Sequence, residues 1–310
     1  MRTRRSQSSD NPAPVEAQPL GHRTVLLHEA IELLDIRPSD TVVDATLGGA
    51  GHTQAIRELA GAGTVVAFDA DREAIERAEK IFAGDARIHL IHANFRDIRT
   101  ELQKIGIESI QKALFDLGWS SYQLSAGRGF SFQSSEPLSM AYDASQSLTA
   151  SVIVNTWEEQ SLVDIIRGWG EERYAPKIAR AIVVARSRAQ IATARELADI
   201  IRGAVPKAYA FGRIHPATKT FQALRIAVND EMGALVAGLT GAWESLSHGG
   251  RMSVITFHSI EDRIVKRQFR QWEDEGAGLR ITKKPLVPSE EEVRDNPRSR
   301  SAKLRVIEKI

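Results

Sequence analysis

A glycine-rich turn between a strand-like run and a helical pattern constrains the fold of this chain more than any other feature. The turn spans Asp44 to His52 and reads Asp-Ala-Thr-Leu-Gly-Gly-Ala-Gly-His, after the apolar run 41–43 and before the amphipathic segment 53–60. Glycine lets the backbone turn sharply and approach a ligand closely, which a Cβ atom would obstruct. Strand, glycine turn and helix form the opening unit of a nucleotide-binding α/β fold. The sequence therefore predicts a ligand site at this turn.

Alternating strand-like and helical segments extend this unit along the first part of the chain. Apolar runs typical of buried strands alternate with amphipathic segments typical of helices. The predicted strands lie at 41–43, 64–68, 87–92 and 112–116, and the predicted helices at 29–34, 53–60, 72–82 and 100–105. Repeated β–α units predict a parallel, doubly wound sheet whose ligands bind beyond the carboxyl ends of its strands.

Two acidic residues follow the second predicted strand. Asp69 lies near the offset of about 20 residues at which an acidic side chain meets a ribose hydroxyl in nucleotide-binding folds. Asp71 is well placed to cap the next helix. Together with the glycine turn, Asp69 favours a nucleotide-like cofactor at this edge of the sheet.

The pattern changes after Ser121. A Ser/Gly-rich loop at 125–139 leads into residues 151–201, which read as successive helices with no strand-like run between them. The α/β pattern then resumes with a helix at 230–246, a strand at 251–257, a helix at 261–269 and strands at 279–281 and 303–307. We therefore predict a sheet domain made of residues 21–122 and 226–310, interrupted by a mostly helical insert of residues 123–225.

Composition excludes several classes of protein. Cysteine is absent from the 310 residues, which rules out disulfides, thiolate metal sites and cysteine nucleophiles. No apolar run approaches the roughly 20 residues that span a membrane. Residues 1–20 combine arginine, serine and proline without an apolar core, so they are predicted to form the disordered tail of a cytosolic protein and not a secretory signal.

Charge is nearly balanced over the whole chain, with 41 basic and 40 acidic residues, but it is not balanced within the insert. Between Ile166 and Arg225 there are twelve basic residues and four acidic ones. Such an excess suits contacts with phosphates, which dominate the affinity of proteins for nucleic acids. The alternative is a solvated helix face without a partner.

The tetrapeptide Asp-Leu-Gly-Trp at 116–119 ends the fourth predicted strand, where a doubly wound enzyme places reacting groups. Its spacing resembles the Asp-Pro-Pro-Tyr tetrapeptide of methyltransferases that act on exocyclic amines of bases. Such an amine is a poor nucleophile because its lone pair is delocalised into the ring. An acid and the next backbone carbonyl, both accepting from the amine, would free that pair for attack on a sulfonium methyl group. The alternative is that Asp116 caps a turn and Trp119 packs.

Two histidines occupy the ligand side of predicted strands. His52 follows the glycine turn and could cap a helix or touch a ligand. His258 belongs to the polar segment 257–263, which follows the fifth predicted strand. That segment also reads as a helix start, with Ser259 as N-cap and Asp262 as its capping-box partner. No spacing of histidine and acidic residues predicts a metal site.

Motifs recur along essentially all of the chain after Leu20. They lie at 22–30, 44–52, 116–124, 128–132, 170–173, 215–225, 257–266 and 296–301. In this order they resemble the bacterial 16S ribosomal RNA (cytosine-N4)-methyltransferases. The resemblance implies a class I methyltransferase with a Rossmann-like doubly wound sheet and an inserted helical subdomain for substrate recognition. It also implies S-adenosyl-L-methionine as cofactor, and as acceptor the N4 amine of a decoding-centre cytosine in 16S rRNA of the small ribosomal subunit.

The resemblance further implies roles for individual residues. Contact with the cofactor is expected for Ala50, Gly51, His52, Asp69, Phe95, Asp116 and Gln123. Asp69 would bind the ribose and Phe95 would lie near the adenine. The catalytic candidates are Asp116, Leu117 through its carbonyl, and His258. Contact with RNA is expected for Arg186, Arg188, Lys219, Arg225, Ser259 and Arg263. The oligomeric state is left open, with a homodimer as one option.

The chain departs from the family's usual pattern at four places. Ala50 stands where glycine is usual, Trp119 replaces a valine and Tyr122 replaces a proline. Residues 139–143 read Ser-Met-Ala-Tyr-Asp where Asp-Met-Arg-Met-Asp is typical, which removes an acid and an arginine near the expected active site. Two alternatives stay open. A nicotinamide-dependent dehydrogenase typically has a Gly-x-Gly-x-x-Gly turn, and the turn at 48–51 does not have this spacing. A non-catalytic RNA-binding or ribosome-assembly factor would keep the fold without transferring a methyl group.

Overall fold

A computed structural model describes residues 23–118 and 127–310 of the chain. The predicted tail at 1–20 lies outside these residues, and so do Trp119, Tyr122 and Gln123. The strands are β1 Val42–Asp44, β2 Val65–Asp69, β3 Ile88–His92, β4 Ile110–Asp116, β5 Leu246–Thr256, β6 Gly278–Arg280 and β7 Lys303–Lys309. They form a single seven-stranded sheet in the order β3-β2-β1-β4-β5-β7-β6.

The first five strands are parallel, as the repeated β–α units predict. Val43 of β1 pairs with Val66 of β2 on one side and with Ala113 of β4 on the other. All three are fully buried, as strands covered by helices on both faces require. The prediction of a parallel sheet is wrong at one edge, because β7 enters between β5 and β6 and runs antiparallel to both.

Helices cover both faces of the sheet and form the insert. They are α1 Leu27–Leu34, α2 Gly51–Ala60, α3 Arg72–Ile81, α4 Ile98–Lys104, α5 Ala150–Thr156, α6 Glu159–Gly168, α7 Ala175–Arg186, α8 Ala194–Ala204, α9 Lys207–Ala210, α10 Thr218–Asn229, α11 Glu231–Ser245, α12 Ser259–Asp274 and α13 Glu290–Asp295. The predicted cap of α3 is confirmed, since the Asp71 carboxylate accepts from the Glu73 amide at 3.2 Å. Within 23–118 and 127–310, no helix is long and apolar enough to cross a membrane.

Two layers of helices bury the sheet, and the insert has a hydrophobic core of its own. Helices α4, α11 and α12 pack on one face, while α1 and α2 pack on the other. The core of the insert runs from Phe130 to Val228 and joins helices α5 to α8 with α10. It extends past residue 225, where the sequence predicted the insert to end, because α10 keeps its apolar face to its last turn.

Asn229, near the end of the insert, packs against residues 140–142, and we call this contact the neck. Asn229, the last residue of α10, donates from its amide nitrogen to the carbonyl of Met140 at 2.8 Å. Its amide oxygen accepts from the backbone nitrogen of Tyr142 at 2.8 Å. Asp230 then adopts a left-handed conformation with φ of 45° and turns the chain into α11. The buried Asn229 side chain therefore holds residues 140–142 beside the end of α10.

Strand β5 begins earlier than the sequence predicts, at Leu246 and not at residue 251. The register with β4 shifts between Ile110 and Lys112, and Gly249 lies in the left-handed region with φ of 75°. The polar, glycine-containing start of β5 is an irregular strand edge, which residue patterns alone indicate as a turn.

Candidate active site

A cavity of about 440 Å³ lies at the carboxyl ends of the strands, between the sheet and the insert. This is the location expected for a doubly wound fold. Its wall contains eight of the residues predicted as site residues: Gly51, His52, Asp69, Phe95, Asp116, Leu117, Arg225 and His258. The sequence motifs from the sheet and from the insert therefore converge on one space.

The glycine turn lets the chain near the N-terminus pack directly on the start of α2. A Cβ atom on Gly51 would lie 1.9 Å from Oγ1 of Thr24, so a side chain at this position would displace the Thr24 side chain. Gly48 is left-handed with φ of 51°, and its amide points to the Asp69 carboxylate at 2.9 Å. The predicted sharp turn is present, and the predicted approach of its backbone to a ligand stays a prediction.

Ala50 lies within the turn, between Gly49 and Gly51. Its φ of 65° is left-handed, which explains why a glycine would suit this position better. Its N–H donates to the carbonyl of Leu47 and its own carbonyl accepts from Gln54, so both backbone groups are engaged within the turn. Ala50 is buried and does not line the cavity. Its left-handed backbone shapes the turn, and its predicted contact with the cofactor stays a prediction.

Asp69 ends β2 with both carboxylate oxygens fixed by backbone amides. Oδ2 accepts from Gly48 at 2.9 Å and Oδ1 from Asp71 at 2.8 Å. Burial raises the pKa of this carboxyl to about 6, although both amides favour the carboxylate. Each oxygen retains a lone pair that could accept from a hydroxyl. The side chain thus has the position and chemistry expected of a ribose ligand.

Phe95 forms an apolar part of the wall. Its ring lies edge-on to Phe115 with 5.7 Å between the ring centroids. A Cβ atom on Gly238 of α11 would lie 2.6 Å from the Phe95 ring, so the ring occupies a place that only glycine leaves open. A ring held in this way can present a flat apolar surface to an adenine.

Asp116, at the end of β4, lies beside His52. The Asp116 amide donates to Oγ1 of Thr46 at 2.7 Å, which fixes the end of the strand. One carboxylate oxygen lies 3.4 Å from Nδ1 of His52. The other oxygen is buried and has no hydrogen-bond partner among the described residues. A buried acceptor of this kind requires a donor, and an amine in the cavity would supply one.

The carboxylate of Asp116 stabilises the protonated form of His52. Burial disfavours the imidazolium, but the carboxylates of Asp116 and Asp44 outweigh that effect and raise the pKa of His52. Asp44 is itself buried and accepts from the Thr53 hydroxyl at 2.6 Å. His52 therefore acts from within the protein as an orienting group for Asp116.

Leu117 completes the tetrapeptide as far as the described residues allow. It is buried, it lines the cavity, and its N–H donates to the carbonyl of Ile255 in β5 at 2.9 Å. This bond anchors the backbone immediately after Asp116. Two neighbouring acceptors, a carboxylate and a backbone carbonyl, are thus available at the end of β4.

Arg225 was predicted to contact RNA, but it is not a surface cation. It is buried on α10 and forms a bidentate pair with Glu231, with distances of 2.7 and 2.9 Å. The Tyr142 hydroxyl also donates to Glu231, at 2.8 Å. The charge of Glu231 raises the pKa of Arg225 against the effect of burial. Arg225 thus helps to form the cavity wall opposite the sheet and is not available to a phosphate at the surface.

The predicted cap of α12 is shifted by one residue. His258 is the N-cap and Glu261 its capping-box partner, where the sequence predicted Ser259 and Asp262. Asp262 instead binds Lys303 and Arg305 of β7, at 3.0 and 2.7 Å. These cations belong to the strand that runs antiparallel, which local sequence could not indicate.

His258 lies among carboxylates in the cavity wall. One ligand atom from each of Glu231, His258 and Glu261 lies within 4.8 Å of the others, a grouping that could hold a cation. The sequence predicted no metal site. Glu231 is already paired with Arg225, and Glu261 accepts from the Phe257 and His258 amides. These partners satisfy the carboxylates without a metal.

Three predicted RNA contacts converge on Glu171, outside the cavity. The Glu171 carboxylate accepts from the Ser259 hydroxyl at 2.7 Å and from Arg263 at 2.6 Å. Lys219 donates to the Glu171 carbonyl at 2.9 Å. Glu171 has a left-handed φ of 48°, unusual for a residue with a side chain. This Glu171 junction joins the insert to α12.

Arg186 and Arg188 lie apart from the cavity and from the Glu171 junction. Arg186 donates to the carbonyl of Val154 at 2.9 Å, and Arg188 is exposed just beyond the end of α7. Neither lines the cavity. The structure leaves their predicted contact with RNA as an expectation.

Several polar residues in the wall were not singled out by sequence. They are Thr46, Asn94, Tyr142, Asn229, Glu231 and Glu261. Glu231 and Asn229 flank the left-handed Asp230, and a break between two helical patterns at this position was the available signal. Tyr142 lies in the segment 139–143 that departs from the family, but only the fold brings its hydroxyl to Glu231.

The strand order, the glycine turn and the acidic end of β2 together define a class I methyltransferase with a Rossmann-like sheet. The sequence profile of the MraW methylase family matches residues 19–310, and the chain belongs to this family. Family membership confirms the expected methyltransferase activity and S-adenosyl-L-methionine as its cofactor, and it is incompatible with a dehydrogenase.

Two relatives similar in sequence support the same assignment over nearly the whole chain. The ribosomal RNA small subunit methyltransferase H of Clostridioides difficile (strain 630) is 44% identical over 307 residues, covering 93% of this chain and 99% of that protein. The protein of the same name from Carboxydothermus hydrogenoformans is 47% identical, covering 93% and 98%. A solved rRNA methylase from Streptococcus thermophilus is 13% identical, with a TM-score of 0.43 and coverage of 92% and 93%.

Proposed function

We propose that this protein transfers the methyl group of S-adenosyl-L-methionine to the N4 amine of a decoding-centre cytosine, position 1402 of 16S rRNA, in the small ribosomal subunit. The observation that carries the proposal is the buried oxygen of Asp116, which has no hydrogen-bond partner within residues 23–118 and 127–310, in a cavity shared by the sheet and the insert. The names of the relatives support ribosomal RNA as the substrate. Ribosomal subunits are in the cytoplasm, and we propose that the enzyme acts there.

The residues of the cavity suit both reactants. The glycine turn, Asp69 and Phe95 offer a close backbone, a ribose acceptor and an apolar surface, which fit the cofactor. When bound, S-adenosyl-L-methionine supplies an electrophilic methyl group on a sulfonium. Asp116 and the carbonyl of Leu117 would accept from the two N–H groups of the cytosine amine and orient its lone pair toward that methyl group. His52, 3.4 Å from one carboxylate oxygen of Asp116, would hold that side chain in place during this step.

The test is methyl transfer from labelled S-adenosyl-L-methionine to 30S subunits that lack the modification, followed by nucleoside analysis. We expect labelled N4-methylcytidine in 16S rRNA. Label in another nucleoside would contradict the proposed acceptor. Binding of subunits and S-adenosylhomocysteine without any transfer would favour a ribosome-assembly factor that has lost activity, with residues 139–143 as the first place to examine.

The pKa of Asp69 predicts how cofactor binding depends on pH. The carboxyl group has a pKa of about 6, so it is mostly ionised at pH 7.5 and mostly protonated at pH 5. If the ribose requires the carboxylate, S-adenosylhomocysteine should bind about tenfold more weakly at pH 5 than at pH 7.5. Asp69→Asn should bind weakly at both values. Calorimetric titration of both proteins measures this, and a wild-type affinity that is constant between pH 5 and 7.5 would argue against a role for the Asp69 carboxylate.

The Glu171 junction predicts a change in the affinity for RNA. We propose that RNA phosphates compete with the Glu171 carboxylate for Arg263 and Ser259, since all three groups lie at the boundary between insert and sheet. Glu171→Gln should therefore bind 30S subunits more tightly. Its binding constant should also fall more steeply with salt, by up to about one unit in the logarithmic slope.

Glu76→Gln is the matched control for this experiment, because it removes the same charge from an exposed residue on α3 that pairs only locally with Arg72. Binding is measured between 50 and 300 mM KCl, roughly the range over which phosphate contacts are lost. Equal salt slopes in the two variants would show that the Glu171 junction does not compete with RNA.

A further inference from the structure

An exposed aromatic ring stands at the tip of the loop between α9 and α10. Phe211 is 81% exposed and Ile214 is 60% exposed, the two largest exposed fractions among the large hydrophobic residues of the described chain. Exposure of one apolar side chain is ordinary, but two within four residues at a loop tip form a surface that suits a partner.

The tip is held in place and is not a freely moving loop. The Phe211 amide donates to the carbonyl of Lys207, and the Gly212 amide to that of Tyr209, both at 3.1 Å. Tyr209 anchors the turn, because its hydroxyl donates to the buried Glu172 and its ring packs against Tyr174 with centroids 4.9 Å apart. A ring on a fixed turn loses little conformational freedom when it stacks on a ligand.

The charge around the tip matches a polyanion. No acidic residue occurs between positions 200 and 229, whereas Arg202, Lys207, Arg213 and Lys219 do, besides the buried Arg225 that pairs with Glu231. Lys207 and Arg213 flank Phe211 and are both exposed. An aromatic ring between exposed cations is the combination with which proteins hold single-stranded nucleic acid: stacking on a base, with phosphates neutralised on either side.

The loop tip is also only a few residues away, along the chain, from a residue that packs on the cavity wall. His215 stacks on Phe132 with centroids 4.3 Å apart and planes 5° apart, and Phe132 lines the cavity. Phe211 lies four positions before His215, so their Cα atoms cannot be more than about 14 Å apart. A strand whose cytosine occupies the cavity would pass this loop with its neighbouring nucleotides.

We infer that Phe211 stacks on an unpaired RNA base next to the target cytosine, with Lys207 and Arg213 on the adjoining phosphates. The inference rests on the proposed function, since it takes ribosomal RNA as the substrate. It assigns the loop 207–215 to substrate binding and gives it no part in cofactor binding or in the chemical step.

The test compares Phe211→Ala and Phe211→Tyr with the wild type in methyl transfer to 30S subunits that lack the modification. The wild type is measured first. If it transfers no methyl group, the proposed function is wrong and the inference about the loop is not the cause. Stacking of a base on an aromatic side chain supports about a tenfold or larger change in affinity. Phe211→Ala should therefore raise KM for subunits about tenfold, while kcat and the affinity for S-adenosylhomocysteine stay unchanged. Phe211→Tyr should restore the wild-type KM.

Ile81→Ala is the matched control, since Ile81 is 49% exposed on α3 of the sheet domain. It should leave KM unchanged. A Phe211→Ala variant with the same KM as Ile81→Ala would overturn the inference. So would a change in sedimentation of Phe211→Ala without a change in KM, because the ring would then contact a second copy of the chain.

Discussion

Asp116→Asn is expected to lower kcat for methyl transfer by about 100-fold or more, with the affinity for S-adenosylhomocysteine nearly unchanged. Asparagine keeps the size of the side chain but replaces one oxygen by an NH₂ group, which repels the N–H groups of the cytosine amine. It also removes the negative charge that faces Nδ1 of His52 at 3.4 Å. Single-turnover kinetics with saturating subunits separate this loss from any change in binding.

Two variants delimit the interpretation. Asp164→Asn makes the same chemical change on the exposed surface of α6, where the carboxylate contacts Gln160, and it should behave as the wild type. Asp69→Ala should weaken cofactor binding far more than Asp116→Asn does. If Asp69→Ala and Asp116→Asn lose affinity and turnover in the same proportion, the division between a binding and a reacting carboxylate is wrong.

Arg225→Met is expected to lower the free energy of unfolding by about 3–5 kcal/mol, because it leaves the carboxylate of Glu231 in the cavity wall without its cation. The two side chains are only 10% and 11% exposed, so water cannot replace the lost pair at low cost. The Tyr142 hydroxyl, which donates to the same carboxylate, is too weak a partner to compensate. Urea denaturation followed by circular dichroism measures the change.

The matched control for this loss is Arg99→Met, which removes an arginine from a pair with Glu244 that is about half exposed, 52% and 46%. It should cost about 1 kcal/mol or less, because exposed ion pairs contribute little. The double variant Arg225→Met/Glu231→Leu should recover much of the stability, since no charge is then left buried. A loss in Arg225→Met no larger than that in Arg99→Met would show that the buried pair is not a stabilising feature of the cavity.

Local residue patterns were sufficient to predict the doubly wound part of the fold. The run predicted as a strand at 112–116 is β4, and Asp71 caps α3 because an N-cap bond involves residues only two positions apart. The positions of Asp69 and Asp116 at strand ends followed from the same patterns. Since parallel strands end at one edge of a sheet, this was enough to predict that the two carboxylates lie near one ligand site.

Features that depend on residues distant in sequence could not be predicted. In the sequence, Arg225 is one cation among twelve. In the structure it is buried and pairs with Glu231, which also accepts from the hydroxyl of Tyr142, 89 residues earlier in the chain. Ser259 and Arg263 read as RNA contacts, yet they meet Glu171, which precedes them by 88 and 92 residues. The antiparallel direction of β7 has the same origin, because a strand's direction is decided by its neighbours and leaves no mark in its own periodicity.

The neck at Asn229 has a consequence for the order in which the protein folds. Strands β4 and β5 pair across the whole insert, and a chain that must first close so long a loop folds slowly. The side chain of Asn229 bridges residues 87 positions apart, so an insert that has already folded holds residue 142 beside the start of α11. We expect amides of α5 to α10 to become protected from hydrogen exchange before those of β5 when the unfolded chain refolds. Simultaneous protection of both regions would mean that the neck closes only together with the sheet.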